Sequence, residues 1–245
     1  MQIHIYETAE QACRAAAFLF AAQLTRKPES VLGLATGSTP VPCYRDLIAY
    51  HQQGLIDFSH VTTFNLDEYC GIAYQNPCSY HAFMEENLFR HVNLRPEAIH
   101  LPDAPRGDDG GAAGRAYDAA IEAAGGIDLQ LLGIGRNGHI GFNEPADAFT
   151  YGTHVVNLSQ NTIDANARFF DSVDDVPRQA ISMGIGNIMA CRSVVLIATG
   201  ESKAEAILRT VHGPIDPHVP ASILSVHPSV TILLDREAAS LLPAR

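Results

Sequence analysis

Short apolar runs recur along this chain with helix-patterned stretches between them, and that alternation restricts the fold more than any other feature. Ile3–Tyr6, Val31–Ala35 (VLGLA), Val61–Leu66, Ile127–Ile134 (IDLQLLGI), Val194–Thr199 and Val230–Leu234 read as strands. Runs as apolar as VLGLA lack the in-out alternation of a half-wetted strand, so they belong in a sheet covered on both faces. Helical spacing over Glu10–Leu24, Pro40–Gln53, Ser79–His91, Gly110–Ala124 and Ser202–Val211 supplies the long crossovers that parallel strands require. A weaker strand at Val155–Leu158, a helix near Thr162–Phe170 and a short C-terminal helix complete the reading. The expectation is a mostly parallel α/β sheet with helices on both faces, in one domain over residues 1–245. No internal repeat, low-complexity tract or linker interrupts it, and the polar stretch Pro102–Gly111 reads as a loop within the domain.

Charge narrows the partners. With 16 basic and 27 acidic residues the net charge is −11, and the basic residues are scattered. Such a surface argues against nucleic acid or an anionic membrane, although one or two local cations suffice for a small anion. Five cysteines with no C-x-x-C pair make a poor disulfide framework and a poor zinc site, so free thiols in a reducing cytoplasm are expected. The N-terminus has no basic segment followed by an apolar one, and Ala15–Leu24 is too short to span a bilayer.

Three segments have the makings of a chemical site. Gly133–Pro145 (GIGRNGHIGFNEP) follows an apolar strand and sets His139 and Glu144 five residues apart among four glycines. Loops at the C-terminal ends of parallel strands are where open α/β sheets place their chemistry. Its formal G-x-G-x-x-G is discounted as a dinucleotide fingerprint, because Gly141 and Pro145 break the helix that should follow. His139 and Glu144 also lack the H-E-x-x-H spacing of a zinc site. Ala35–Pro40 (ATGSTP) reads as a strand-to-helix turn in which Ser38 or Thr39 caps and Pro40 opens the helix, a start that suits phosphate. Phe64–Tyr69 (FNLDEY) ends a strand, and period-two alternation turns Asp67 and Glu68 to opposite faces. Either could be a desolvated base, but not both as a close pair. Two isolated cations stand downstream, Arg168 in NARFF and Lys203 in ATGESK, the latter at the positive end of its helix.

Taken in order, ATGSTP, FNLDEY, GIGRNGHIGFNEP, NARFF and ATGESKA resemble the glucosamine-6-phosphate deaminases, and the resemblance covers essentially the whole chain. It implies a single Rossmann-like α/β domain that converts glucosamine 6-phosphate and water to fructose 6-phosphate and ammonia, with no organic cofactor and no metal. It also implies roles. Asp67 is the base that moves a proton between C2 and C1 of the open-chain sugar. His139 opens the pyranose ring with Glu144 assisting, and Asn137 stands where many members have Asp. Gly37, Ser38 and Thr39 form the phosphate loop, with Arg168 and Lys203 completing the anion site. Asn137 is expected to orient the His139 imidazole by a hydrogen bond without offsetting its charge.

Members regulated by N-acetylglucosamine 6-phosphate carry basic residues where this chain has His154 and Val156, so that regulation is not expected here. The partner implied is a small sugar phosphate, bound by a monomer or homo-oligomer. Two rivals are weighed: a 6-phosphogluconolactonase, disfavoured by Tyr69 and Glu144, and a non-catalytic sugar-phosphate sensor, disfavoured by the absence of a DNA-binding segment. Tyr151–Asp175, polar and weakly periodic, is the candidate lid.

Overall fold

The computed structural model describes residues 1–107, 110–158, 160, 163, 170, 172 and 176–243. Ten strands are present among them: β1 (Gln2–Tyr6), β2 (Val31–Leu34), β3 (Thr62–Asn65), β4 (Asp67–Tyr69), β5 (Ile99–His100), β6 (Leu129–Leu132), β7 (His154–Asn157), β8 (Gln179–Ser182), β9 (Val194–Ala198) and β10 (Val230–Asp235). Seven of these form one sheet in the order β1-β10-β9-β6-β2-β3-β5, with every pairing parallel. Every residue of β2, β6 and β9 is buried, as expected for strands covered on both faces. The helices are α1 (Ala9–Arg26), α2 (Val41–Gln52), α3 (Tyr80–Asn87), α4 (Gly111–Ala123), α5 (Ile185–Ala190) and α6 (Ala204–His212). One apolar core runs through the sheet and its helices, built around Phe20, Leu32, Tyr44, Phe64, Leu131 and Ile232.

The strand Ile99–His100 and the helix Ile185–Ala190 were not read from the sequence, and two larger features depart from that reading. A second, three-stranded antiparallel sheet (β4-β8-β7) sits at the end of β3. The FNLDEY run is therefore two strands, not one: β3 stops at Asn65, Leu66 donates its amide to Leu34 O (3.1 Å), and Asp67 opens β4 in the other sheet. The expected C-terminal helix does not form among the described residues. Asp235 Oδ1 accepts the Ala238 amide at 2.8 Å, and residues 236–241 continue as hydrogen-bonded turns. Within the candidate lid, His154–Asn157 is fixed as β7 against β8. Most of residues 159–175, and with them the helix expected at Thr162–Phe170, lie outside the described residues.

Candidate active site

The order β9-β6-β2-β3 places four strand ends side by side, and the segments that follow them carry the sequence-predicted site. After β6 the chain turns tightly, with Gly138 N–H bonding Gly135 O (3.0 Å) and Gly135 N–H bonding His139 O (2.9 Å). The imidazole of His139 lies directly over Gly135. A Cβ there would stand 2.5 Å from Nε2 and closer still to Cε1 and Nδ1, so only glycine leaves room for the ring. Gly138 has φ +87°, a left-handed conformation that glycine adopts without strain, and its carbonyl accepts the Ala221 amide at 2.9 Å. Asn143 is buried and donates from Nδ2 to Ile140 O (2.8 Å) and Met183 O (2.9 Å), while Ser182 Oγ accepts the Phe142 amide at 3.0 Å. These bonds pin the loop to the end of β8.

Within this loop Asn137, Glu144 and His139 form a connected set. Asn137 Nδ2 donates to Glu144 Oε2 at 2.7 Å, and Asn137 Oδ1 accepts the backbone N–H of His139 at 3.2 Å. Glu144 Oε1 stands 3.4 Å from His139 Nδ1. The sequence reading put Asn137 against the imidazole; in the structure it holds the main chain of His139 and the Glu144 carboxylate instead. The charge that can offset an imidazolium is thus Glu144, and Asn137 acts through it.

The two adjacent carboxylates have opposite surroundings, as alternation predicted. Glu68 is buried and saturated: its Oε1 accepts the amides of Tyr69 and Tyr80, and its Oε2 that of His81, each at 2.9 Å. It anchors the first turn of α3 to β4. Burial raises its carboxyl above the ordinary range, while the three amides pull it back. Asp67 is buried too, yet its carboxylate has no hydrogen-bond partner among the described residues. Desolvation, with a smaller push from the Glu68 charge, raises its carboxyl to about 8. Aromatic rings build this dry setting, with Tyr69 and Tyr80 4.8 Å apart and Phe142 stacked on Tyr80 at 6.0 Å. A methyl group on Gly141 would lie 3.6 Å from Asp67 Oδ2, which puts the histidine loop and this carboxylate side by side. A base is found here by burial and free lone pairs; the sequence could not separate the two acids.

The remaining predicted residues lie along the same edge. Gly37 (φ +104°) and Ser38 are exposed after β2, and Thr39 O accepts the Cys13 thiol at 3.2 Å. Neither Ser38 nor Thr39 caps α2: the helix opens at Val41, which makes Pro40 the N-cap residue, and a proline side chain has no acceptor to offer. The first turn of α2 is therefore left without a side-chain acceptor, an arrangement that suits an incoming anion. Lys203 precedes α6, following Gly200, whose amide is held by both Asp235 oxygens (3.1 and 2.9 Å). Partial burial lowers the Lys203 ammonium, with a further push from the Arg136 charge. Asp235 and Arg136 are site neighbours that the sequence reading passed over; the run of Gly, Arg and Asn before His139 was the signal for Arg136. Arg168 lies outside the described residues. Among the described residues no three His, Cys, Asp or Glu side chains are grouped to hold a metal ion.

This geometry belongs to a known lineage. A family model described as glucosamine-6-phosphate isomerases/6-phosphogluconolactonase matches residues 5–233. The chain belongs to that family. A glucosamine-6-phosphate deaminase of Halothermothrix orenii is 52% identical over 242 residues, covering 99% of this chain and 100% of the relative. One from Rhodopirellula baltica is 53% identical over 245 residues, covering 100% and 97%. Among solved structures, a monomeric glucosamine-6-phosphate deaminase superposes with a TM-score of 0.94 at 45% identity, covering 98% of this chain and 100% of that one. A 6-phosphogluconolactonase from Leishmania guyanensis gives 0.74 at 21% identity over 99% of both chains, a likeness of fold alone. Within the family this chain therefore stands on the isomerase/deaminase side, and its seven-stranded parallel sheet is the family's fold.

Proposed function

We propose that this protein is a glucosamine-6-phosphate deaminase, acting as one domain over residues 1–245 and converting glucosamine 6-phosphate and water to fructose 6-phosphate and ammonia. The observation that carries the reading is Asp67: a desolvated carboxylate with no hydrogen-bond partner among the described residues, beside a loop that links His139 to Glu144. Relatives of that activity at 52% and 53% identity over nearly the whole chain support it.

In this reading the phosphate sits against Gly37–Thr39 and Lys203, which fixes the sugar's far end and holds C1 and C2 over Asp67. His139 moves the proton between O1 and O5 as the ring opens, and Glu144 offsets the imidazolium. Asp67 then takes the C2 proton, leaving an enolamine, and returns a proton at C1. Water adds to C2 of the resulting ketimine, ammonia leaves, and fructose 6-phosphate remains. A base near neutrality suits this task, because it is ionised in useful amount and still strong enough to abstract a carbon-bound proton. We place the enzyme in the cytoplasm, where its five free cysteines stay reduced; no described helix is long and apolar enough to cross a membrane.

A direct comparison of substrates tests the assignment. Purified protein should release ammonia from glucosamine 6-phosphate and leave 6-phosphogluconolactone at its spontaneous hydrolysis rate. Lactone turnover without ammonia release would reverse the assignment, and binding of the sugar phosphate without turnover would put the sensor reading ahead.

A further inference from the structure

Two cations stand on neighbouring segments at the site edge, and no described carboxylate pairs with either. β6 and β9 are neighbours in register, Leu132 beside Leu196, so the segments that follow them emerge together. Arg136 lies four residues beyond β6 and is exposed; Lys203 precedes α6 and is half-buried. Six arginines elsewhere (Arg14, Arg90, Arg95, Arg192, Arg209 and Arg236) each pair with an Asp or Glu. Arg136 makes no ion pair or hydrogen bond among the described residues, and neither does the Lys203 ammonium. The Arg136 charge adds to burial in lowering the Lys203 ammonium, and no described carboxylate counters it. A chain with 27 acidic residues has ample means to neutralise such a pair. Like charges held close, one of them partly desolvated, cost free energy until an anion joins them. On the other side of β6 is β2, followed by Gly37–Thr39 and the uncapped start of α2. An anion seated there is flanked by loops from three adjacent strands.

We infer that Arg136 is a specificity-determining residue, which with Lys203 forms a two-cation seat matched to the dianionic phosphate of the substrate. This rests on the phosphate-binding reading of Lys203 and Gly37–Thr39 given above. The guanidinium presents a planar fork suited to two phosphate oxygens, whereas the lysine supplies a point charge. Being exposed and unpaired, Arg136 can be changed without unpairing any buried group.

The test is Arg136→Gln, read by steady-state kinetics with glucosamine 6-phosphate and by calorimetric binding of inorganic phosphate. KM should rise about tenfold, equivalent to about 1.4 kcal/mol, with the loss in KM rather than kcat. The Kd for inorganic phosphate should weaken by a similar factor, Arg136→Lys should recover part of both by restoring the charge without the fork, and the melting temperature should not fall, since one of two like charges is removed. KM and phosphate Kd within twofold of wild type would overturn the inference. So would a loss confined to kcat, which would make Arg136 a positioning residue for the His139 loop. Should the protein prove inactive as a deaminase, the phosphate titration still decides: the same weakening upholds the seat, and no phosphate binding by wild-type protein refutes it.

Discussion

Replacing Gly135 with alanine puts a methyl group where the structure has an imidazole. The added Cβ would lie 2.5 Å from Nε2 of His139 and nearer to two other ring atoms, whereas carbon contacts settle at about 3.5–4.0 Å. The ring must therefore retreat by roughly 1 Å or more, away from Glu144 or out toward solvent. A displacement of that size costs on the order of 10²-fold in rate when the displaced group is part of the chemistry. The stability cost should be small, because the His139 side chain is 27% exposed and has somewhere to go. It falls at the low end of the about 1–3 kcal/mol typical of overpacking, or a few degrees in melting temperature for a domain of this size. Gly133 is the matched control: its backbone is not left-handed, and a Cβ there meets nothing within 4 Å. Gly133→Ala should melt at or slightly above the wild-type temperature, since alanine restricts the unfolded chain. The assay is ammonia release with glucosamine 6-phosphate, beside thermal unfolding followed by circular dichroism. Gly135→Ala with wild-type kcat/KM would refute the placement of His139 in the chemistry. A large collapse of both variants would refute the local clash as the cause.

Other outcomes follow from the same geometry. Because Asp67 must be ionised to act as a base and is held near 8, kcat/KM should climb with pH toward that value; a flat profile between pH 6 and 9 would contradict it. The linkage runs the other way for stability. A carboxyl raised in the folded state keeps its proton there after the unfolded chain has lost it, so its contribution fades as pH rises from about 4 to about 8. Denaturant titrations should accordingly show Asp67→Asn gaining on wild type across that window. Glu68→Gln should lose about 1–3 kcal/mol, since its NH₂ end cannot accept and leaves unpaired either the Tyr69 and Tyr80 amides or that of His81, while keeping far more activity than Asp67→Asn. Ser182→Ala strips the Phe142 amide of its acceptor and should cost a similar amount, read by urea unfolding.

The parallel sheet was legible because its signal is local. Apolar runs such as VLGLA and the helical spacing between them are set by burial on both faces, and the observed ends of β2, α1 and α4 fall within one or two residues of those read from sequence. The second sheet was not legible, since Asp67–Tyr69 is a strand only by virtue of pairing with Ala180–Ser182, more than a hundred residues away. The C-terminal segment begins as a helix would, with Asp235 capping the Ala238 amide and Ala239 bonding Asp235 O, but then continues in i→i+3 turns at Ser240 and Leu242. At the site, residue types and spacing found His139, Glu144 and the Asp67–Glu68 pair. Telling the two acids apart required the α3 amides that occupy Glu68, and the role of Asn137 required knowing that Glu144 stands between it and the imidazole.

The most direct measurement is to incubate wild-type protein and Asp67→Asn with glucosamine 6-phosphate and score ammonia and fructose 6-phosphate together. Wild type should give equimolar products and the folded variant a rate at least about 10²-fold lower, the range expected for removing a general base. Wild-type turnover by Asp67→Asn, or sugar phosphate formed without ammonia, would contradict this reading.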